Sequence, residues 1–361
     1  MFKRLNRLYD FYTSDLSYKE IEKLVKRDLP ELYNFYVKKM KEPEEMRRSP
    51  RGILRFLRSL FVAFLLQLTP VRRLVYSIAL VLFVFGFMSN QSQYIWFGFI
   101  LVNIILAFEL SDKLIAKDEL AVASEIQSSL MPKEPPKNEY FEISCYSEAA
   151  REVGGDYYDF IVHESSPDKT YIVIGDISGK GMAAALHMVQ VQAILRYLII
   201  HNDSPKDILV LLNKNLTRIL KKGSFFTVSI ACLNSKGTLL LSRAGHMPLI
   251  IYSKAEQKCQ NIIPRGMGIG LSQNSIFETS LEEIEIQPQP GDILIFYTDG
   301  VVEAMNNYFM EYGEERFMDV ITKNAGRSAK EIQDSILKNI SIFTDSSPAH
   351  DDLTMIVMKA V

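Results

Sequence analysis

The apolar positions of the chain change their pattern near residue 140, and the region before that point contains two charge-free runs. Residues 74–88 and 94–107 are apolar and are joined by the short uncharged segment SNQSQ. A helix needs about 20 apolar residues to cross the hydrocarbon core of a membrane. Each run is slightly short, but no Asp, Glu, Lys or Arg occurs in residues 74–107. The pattern predicts a transmembrane helical hairpin over 72–110, and a buried hairpin of a soluble domain is the alternative.

Basic residues flank this hairpin on both sides, whereas its connecting segment contains neither Lys nor Arg. Lys113 and Lys117 follow the hairpin, and a cluster of arginines precedes it: Arg47, Arg48, Arg51, Arg55, Arg58, Arg72 and Arg73. The positive-inside rule therefore predicts that both ends of the hairpin face the cytoplasm.

Three further segments surround the hairpin. Residues 1–50 contain helical pieces with scattered aromatic side chains, and we assign no chemistry to them. Residues 51–70 form either a basic amphipathic juxtamembrane helix on the inner membrane face or a short buried helix. Residues 111–132 carry apolar positions at helical spacing and end at Pro132, which predicts a linker helix. Its apolar stripe fits a seam between two subunits or packing on the following domain.

From Phe141 onward, short alternating or continuous apolar runs bounded by Gly, Asp and Asn predict strands. The expected strands are 141–149, 156–163, 170–176, 225–233, 238–244, 248–253, 280–286, 292–298 and 353–359. Helical patterns fit 181–201, 205–221, 313–322 and 328–342. Because the strands follow one another rather than alternating with helices, we expect an α+β domain over 138–361, an antiparallel β-sandwich flanked by helices.

Composition narrows the classes of function. The net charge of the 361-residue chain is −2, from 41 Lys and Arg against 43 Asp and Glu. This balance argues against nucleic acid as a partner, because such binding needs a basic surface that displaces counterions from phosphates. Three widely spaced cysteines imply no disulfide scaffold and fit a reducing compartment.

Aspartates stand at the ends of several predicted strands, next to glycine or to another aspartate. They are Asp156 in REVGGDYYDF, Asp176 in YIVIGDISGKG, Asp299 in DILIFYTDG, and Asp351 and Asp352 in HDDLTMIV. Each alone is most simply a turn residue, since Asp-Gly is a turn signal. Gathered in one site, these carboxylates would repel one another, and a divalent cation would relieve the repulsion. Oxygen ligands without paired Cys or His favour Mg²⁺ or Mn²⁺. Two such ions about 3.5–4 Å apart could activate a bridging water for phosphoester hydrolysis.

A family resemblance rests on five segments in order: EVGGDYYD, GDISGKGMAAAL, RAGHMPLI, GDILIFYTDGVVEA and DDLTMIV. Over residues 120–361, the chain resembles the metal-dependent protein serine/threonine phosphatases of the type-2C (PPM) superfamily, and within it the bacterial SpoIIE/RsbU branch. The resemblance implies a central β-sandwich flanked by helices, with two Mn²⁺ or Mg²⁺ ions in each site.

The resemblance also assigns roles to residues of this sequence. Asp156, Asp176, Asp299 and Asp351 match the metal-binding aspartates that carry catalysis, and Asp176 matches the one that bridges the ions. The backbone carbonyl of Ile177 matches a further metal ligand.

Three positions depart from the family pattern or are interpreted as structural. Asp352 is the less favoured ligand of the final pair. The general-acid His of distant eukaryotic members is not matched here, where Lys180 and its neighbours stand instead. His246, in a RAGH turn, is interpreted as holding that turn by hydrogen bonds.

These observations together predict a phosphatase of the bacterial inner (cytoplasmic) membrane, multi-pass, with its catalytic domain in the cytoplasm. The expected substrate is phosphoserine or phosphothreonine on a regulatory protein, and in this family that protein is commonly an anti-sigma-factor antagonist. The linker helix is expected to join two copies into a homodimer in contact with membrane lipid. The alternative is a catalytically silent dimeric signalling module of the same fold.

Overall fold

The computed structural model describes residues 29–38, 50–163, 166–220, 223–272, 275–345, 347 and 349–361. The chain forms two compact units, Met1–Ile115 and Ala116–Val361. Most of the predicted N-terminal segment 1–50 lies outside the described residues.

The described part of the first unit is helical. It contains α1 (Leu29–Lys38), α2 (Pro50–Gln67), α3 (Pro70–Met88) and the first part of α4 (Ser92–Leu130). Pro70 stands in the first turn of α3, where its missing N–H has no intrahelical partner to lose. The 39-residue α4 runs unbroken through residues 110–111, so the second arm of the hairpin and the linker helix are one helix.

Small residues allow α3 and α4 to approach closely. A Cβ on Gly86 would come within 2.8 Å of Ile95 Cγ1, and one on Gly98 would come within 2.8 Å of the Ala79 carbonyl oxygen. Such contacts are typical of helices that associate in membranes. The same two helices are also joined by Arg72, which donates to Glu109 Oε1 at 2.9 Å and to Asp112 Oδ2 at 2.7 Å.

Three helices in the described residues are long and apolar enough to cross a membrane: Pro70–Met88, Ser92–Leu130 and Met182–His201. Only 11% of the apolar window is buried in each of the first two, against 44% in the third. The third helix lies within the second unit and packs into a hydrophobic core there through Met188, Val191 and Leu195, which explains its apolar composition.

In its described residues, the second unit contains ten strands, all antiparallel to their neighbours. They are β1 (Phe141–Glu148), β2 (Tyr157–His163), β3 (Ser166–Ile177), β4 (Phe226–Leu233), β5 (Leu239–Ala244), β6 (Leu249–Ser253), β7 (Lys258–Ile262), β8 (Glu283–Ile286), β9 (Ile293–Tyr297) and β10 (Leu353–Ala360). One sheet has the order β1-β10-β9-β6-β7, and the other has the order β2-β3-β4-β5-β8.

Five further helices in the described residues complete this unit: α5 (Met182–His201), α6 (Pro205–Leu216), α7 (Ser275–Ser280), α8 (Glu314–Asn324) and α9 (Ala329–Thr344). A core between the sheets includes Phe141, Ile174 and Phe296. A second core packs α5 and α6 on the β2–β8 sheet, and a third packs α8 and α9 on the β1–β7 sheet. The α+β prediction of two stacked antiparallel sheets with helices outside is confirmed.

Two elements were absent from the prediction. Strand β7 has the sequence KCQNI, in which a single buried residue, Cys259, alternates with polar positions. Helix α7 has only six residues, SIFETS, and buries Phe277 alone. Neither sequence has enough apolar periodicity to be recognised, and each is stabilised by the neighbour on which it packs.

Candidate metal centre

Strand register brings the predicted site residues to neighbouring strand ends. Asp156 immediately precedes β2, whose Tyr157 pairs with Gly175 of β3, so Asp156 is adjacent to Asp176 across the ladder. In the other sheet, Met355 of β10 pairs with Tyr297 of β9. The residues before β10 and after β9, which include Asp351 and Asp299, therefore also lie at one end of their sheet.

Two glycines allow the chain segments at these ends to touch. A Cβ on Gly155 would lie 2.9 Å from the Ile177 carbonyl oxygen and 3.0 Å from Asp176 Oδ1. A Cβ on Gly300 would lie 2.0 Å from the carbonyl oxygen of Asp352. A larger residue at either position would push these segments apart. Gly155 therefore allows the GGD turn to approach the predicted ligand atoms of Asp176 and Ile177. Gly300 allows the Asp299 turn to contact the backbone of Asp352, next to Asp351.

The carboxylates of the site repel one another. Burial, and then the charges of Asp299, Asp351 and Asp352, raise the pKa of Asp176 from 3.8 to about 7. Burial and the charge of Asp351 also raise the pKa of Asp299. Carboxyl groups with raised pKa values of this origin are typical of functional sites, because the fold holds them together at a cost to their charged forms.

Asp156 is the most deeply buried carboxyl group of this set, with 5% of its surface exposed. Burial raises its pKa well above the usual range, and the charge of Asp176 adds to the effect. Thr298 Oγ1 donates to Asp156 Oδ2 at 2.8 Å and accepts from the Thr354 amide at 3.0 Å. Thr298 therefore connects Asp156, which precedes β2, to both β9 and β10.

A lysine supplies positive charge at the rim of the site. Lys180 Nζ donates to Asp351 Oδ2 at 2.6 Å and to the His350 carbonyl at 2.7 Å. Lys180 follows Asp176 in the turn that leads to α5, between Gly179 and Gly181, whose φ angles are +106° and +74°. Its charge also lowers the pKa of Asp299, against the larger effect of burial.

Both carboxylate oxygens of Asp352 accept hydrogen bonds from backbone amides. Its Oδ2 accepts from the Gly155 amide at 2.6 Å, and its Oδ1 accepts from the Ala150 amide at 2.8 Å. These bonds tie the chain before β10 to the GGD turn. That Asp352 is the less favoured ligand of the final pair stays a prediction.

The C-terminal part of α4 also touches the GGD turn. Gln127 Nε2 donates to the Gly154 carbonyl at 2.6 Å, and Gln127 Oε1 accepts from the Gly154 amide at 3.1 Å. Gln127 is buried, with 6% of its surface exposed. The linker helix is thus bonded two residues from Asp156.

Two other polar residues of the motifs lie outside the carboxylate group. Asp159 is buried on β2, where it accepts a bidentate pair of bonds from Arg196 at 2.8 and 3.0 Å. His246 is buried, and its Nδ1 lies 3.0 Å from Thr227 Oγ1. Burial, with the nearby charge of Arg243, lowers the pKa of His246 to about 3, so its ring is neutral at physiological pH.

The donor set can be tested against a divalent metal. Its atoms are carboxylate and carbonyl oxygens, which suit hard ions such as Mg²⁺ and Mn²⁺. The mutual repulsion that raises their pKa values is of the kind a cation relieves. Among the residues that the structure describes, however, no three Asp, Glu, His or Cys side chains are placed as a group that could hold an ion. The residues fit a divalent metal in the chemistry of their donor atoms and in the mutual repulsion of their charges.

Comparison with known proteins decides the family. The family model described as stage II sporulation protein E (SpoIIE) matches residues 166–361, which is more than half of the chain. The chain belongs to the SpoIIE family. Asp176, Asp299 and Asp351 lie inside the matched region, and Asp156 lies ahead of it.

Two relatives and one solved structure show which proteins this SpoIIE-family chain is similar to. The phosphoserine phosphatase RsbU of Bacillus subtilis is 28% identical over 247 residues, which is 67% of this chain and 70% of RsbU. The protein IcfG of Synechocystis is 29% identical over 304 residues, which is 76% of this chain and 45% of IcfG. The SiaA-PP2C domain of Pseudomonas aeruginosa has a TM-score of 0.59 at 19% identity, covering 69% of this chain and 98% of that domain. The fold is that of PP2C-type domains, and the prediction that this SpoIIE-family chain is a protein phosphatase is confirmed.

Sequence reasoning missed three contributors to the site. Lys180 was noted only because it stands where distant family members have a general-acid His. Its ion pair with Asp351 joins residues 171 positions apart in the chain, which the sequence does not reveal. Gln127 was seen only as part of an apolar stripe, and Thr298 was not singled out. The weak signal for Gln127 is a polar residue on the otherwise apolar face of an amphipathic helix.

Proposed function

We propose that this chain is a membrane-anchored, metal-dependent phosphatase that removes phosphate from serine or threonine of a regulatory protein. The observation that carries the proposal is the position of Asp176, next to Gly155 and under the charges of Asp299 and Asp351. The name of RsbU, a phosphoserine phosphatase, supports the same class of substrate. An anti-sigma-factor antagonist is the substrate protein that we propose.

The proposed metal ligands are Asp156, Asp176, Asp299, Asp351 and the carbonyl oxygen of Ile177. Two Mn²⁺ or Mg²⁺ ions held there would supply an activated water and offset charge on the phosphate. Asp176 is the candidate shared ligand, because the charges of Asp299 and Asp351 act on it and its own charge acts on Asp156.

Lys180 has a role that follows from its position. Its ammonium group is half-exposed and pairs with Asp351, whose side chain is one-third exposed. With Asp351 bound to a cation, Lys180 would be without this partner and could donate to the phosphate oxygens of the substrate. The substrate phosphate then replaces one anionic partner of Lys180 with another.

The membrane proposal rests on α3 and on the apolar part of α4. Both helices are long and apolar enough to cross a membrane, no Asp, Glu, Lys or Arg occurs in residues 74–107, and their apolar side chains are mostly exposed in the structure. Basic residues precede α3 and follow the apolar part of α4, which supports a cytoplasmic position for the phosphatase unit. Val122 and Ile126, exposed four residues apart on α4, support the proposed dimer seam.

Phosphate release by the full chain, purified in detergent, tests the proposed activity. With Mn²⁺, the protein should hydrolyse p-nitrophenyl phosphate, and Asp176→Asn should abolish this activity. Asp319→Asn, which removes an exposed aspartate on α8, is the matched control and should leave it unchanged. Metal-independent hydrolysis that survives Asp176→Asn would overturn the proposal, and absence of both activity and Mn²⁺ binding would favour the silent signalling module.

A further inference from the structure

A short hairpin projects next to the candidate metal centre. Its two legs are joined by a hydrogen bond from the Tyr312 amide to the Ala304 carbonyl at 2.9 Å and by one from the Gly313 amide to the Val302 carbonyl at 2.9 Å. The legs begin directly after the 3₁₀ turn Asp299–Val301. We call residues 302–313 the aromatic hairpin.

The tip of the aromatic hairpin holds large apolar side chains in solvent. Tyr308 is 82% exposed, Phe309 is 80% exposed and Met310 is 52% exposed. Single exposed apolar residues are ordinary on protein surfaces, but three in succession at a loop tip form a contiguous patch. Patches of this kind mark interaction sites.

The tip is rigidly built, although it is exposed. Asn306 Oδ1 accepts from the amides of Tyr308 at 2.9 Å and Met310 at 3.1 Å, and the Asn306 carbonyl accepts from the Phe309 amide at 3.0 Å. Phe309 has φ +59°, a left-handed conformation that is costly for a bulky residue. Backbone strain that serves to present an aromatic side chain to solvent indicates a binding role rather than a packing role.

A groove of about 810 Å³ runs from the base of this hairpin to the candidate centre. Met305 and Ala304 line it on the hairpin side, and Gly300, His350 and Asp351 line it on the side of the centre. The Asn307 side chain connects the tip to the opposite wall, since its Oδ1 accepts from Ser347 Oγ at 2.8 Å. The base of the hairpin therefore shares one groove with Asp351, and the exposed tip with Tyr308 and Phe309 follows that base within three residues along the chain.

We infer that the aromatic hairpin is the docking element for the phosphorylated protein substrate, which presents an apolar, non-acidic surface beside its phosphoserine. This inference rests on the proposed function and adds the part of the enzyme that selects the substrate. Because hydrogen bonds already hold the backbone of the tip, binding would order little further chain there, and aromatic side chains often dominate interface energies.

Charge and size argue against two other occupants. Residues 302–313 contain Glu303 and Glu311 and no Lys or Arg, so an anionic membrane surface would repel the hairpin. Three exposed side chains offer far less area than the roughly 800 Å² per partner that a stable interface between two copies needs.

Steady-state kinetics of the full chain in detergent tests the inference with two kinds of substrate. The probes are p-nitrophenyl phosphate and the phosphorylated anti-sigma-factor antagonists of the same genome, both assayed with Mn²⁺. In the double variant Tyr308→Ser/Phe309→Ser, kcat/KM for a phosphorylated antagonist should fall at least about tenfold, through KM, as for loss of an interface hot spot. Turnover of p-nitrophenyl phosphate should not change.

The control is Tyr197→Ser/Ile276→Ser, which removes two exposed apolar residues, on α5 and α7, and should leave both activities unchanged. An unchanged antagonist kcat/KM in the hairpin variant would overturn the inference. An equal loss of activity on both substrates would also overturn it, and so would a hairpin variant that loses dimer formation or vesicle binding rather than antagonist turnover. A wild-type protein that hydrolyses p-nitrophenyl phosphate but none of the antagonists would overturn it as well. Absence of wild-type activity on p-nitrophenyl phosphate would instead overturn the proposed function.

Discussion

The ammonium group of Lys180 lies 2.6 Å from Asp351 Oδ2, at the rim of a group of buried and half-buried carboxylates. The pair joins the turn after β3 to the segment before β10, so it connects the two sheets at the candidate metal centre. Among the groups that lower the pKa of Asp299 and Glu303, Lys180 is the side chain with positive charge. The lysine therefore acts as a built-in counter-ion for carboxylates that would otherwise repel one another.

Replacing this lysine should strengthen metal binding. In Lys180→Met, Asp351 has no ammonium partner, so a cation no longer competes with the ion pair for its oxygens. We expect the Kd for Mn²⁺ to fall by up to about fivefold, the range for a partly exposed ion pair. Isothermal titration calorimetry measures this change, with Lys323→Met, which breaks the exposed pair with Asp319, as the control. Weaker Mn²⁺ binding in Lys180→Met would contradict the counter-ion role.

Metal affinity should depend on pH through Asp176. Its pKa is raised to about 7 by burial and by neighbouring carboxylates, so a proton must leave before a cation binds below that pH. Mn²⁺ affinity should therefore rise between about pH 5 and pH 8 and level off above the raised pKa. Titration calorimetry across this range is the measurement, and an affinity that does not change with pH would show that Asp176 is not a ligand.

The same shift predicts how the stability of the metal-free protein changes with pH. Because the folded pKa of Asp176 lies above its ordinary value of 3.8, the folded state retains a proton that the unfolded state has released. The contribution of Asp176 to the free energy of unfolding should therefore decrease as pH rises from about 4 to 7. Urea denaturation with a chelator present should show this slope in the wild type and a smaller slope in Asp176→Asn. Equal slopes in the two proteins would contradict the assignment.

The bonds between Gln127 and Gly154 predict a stability effect. In Gln127→Ala, the buried backbone amide and carbonyl of Gly154 each lose their hydrogen bond to the Gln127 side chain. This loss should lower the free energy of unfolding by about 1–3 kcal/mol. Urea denaturation measures the loss. Glu125→Ala, an exposed change on the same helix, should have little effect. If the two variants are equally stable, Gln127 does not attach α4 to the GGD turn.

The proposed dimer seam can be tested by crosslinking. Cysteine at Val122 or Ile126, on the exposed apolar face of α4, should form an intermolecular disulfide under mild oxidation. Non-reducing electrophoresis detects the product. Native Cys232 and Cys259 are buried, and the wild-type chain serves as background. A cysteine at Glu125 should crosslink less, and equal crosslinking at positions 122 and 125 would argue against a specific seam.

Local pattern predicted most of the fold, because its strands and long helices carry their own apolar periodicity. Residues such as Ile172–Ile174 and Ile293–Phe296 are continuous apolar runs that are buried on both faces. Strand β7 and helix α7 lack that signal, and their structure depends on tertiary contacts. The continuity of α4 beyond residue 110 was missed because the change from apolar to charged residues looked like a boundary, although no Pro or Gly interrupts the helix there.

The candidate site was less accessible to sequence reasoning than the fold. Asp156, Asp176, Asp299 and Asp351 were selected because each adjoins a strand end, and their roles as ligands stay predictions. The partners that define their surroundings were not selected, since Lys180, Thr298 and Gln127 act through contacts between segments far apart in the chain. No element was predicted for residues 302–312, and the exposure of Tyr308 and Phe309 is evident only in three dimensions.

Calorimetric titration of the full chain with Mn²⁺ tests the central claim most directly. The account predicts two bound ions per chain in the wild type, with binding lost or severely weakened in Asp176→Asn and in Asp299→Asn and retained in Asp319→Asn. Absence of Mn²⁺ binding to the folded wild-type protein, or unchanged binding in Asp176→Asn, would contradict the claim that these carboxylates form a metal centre.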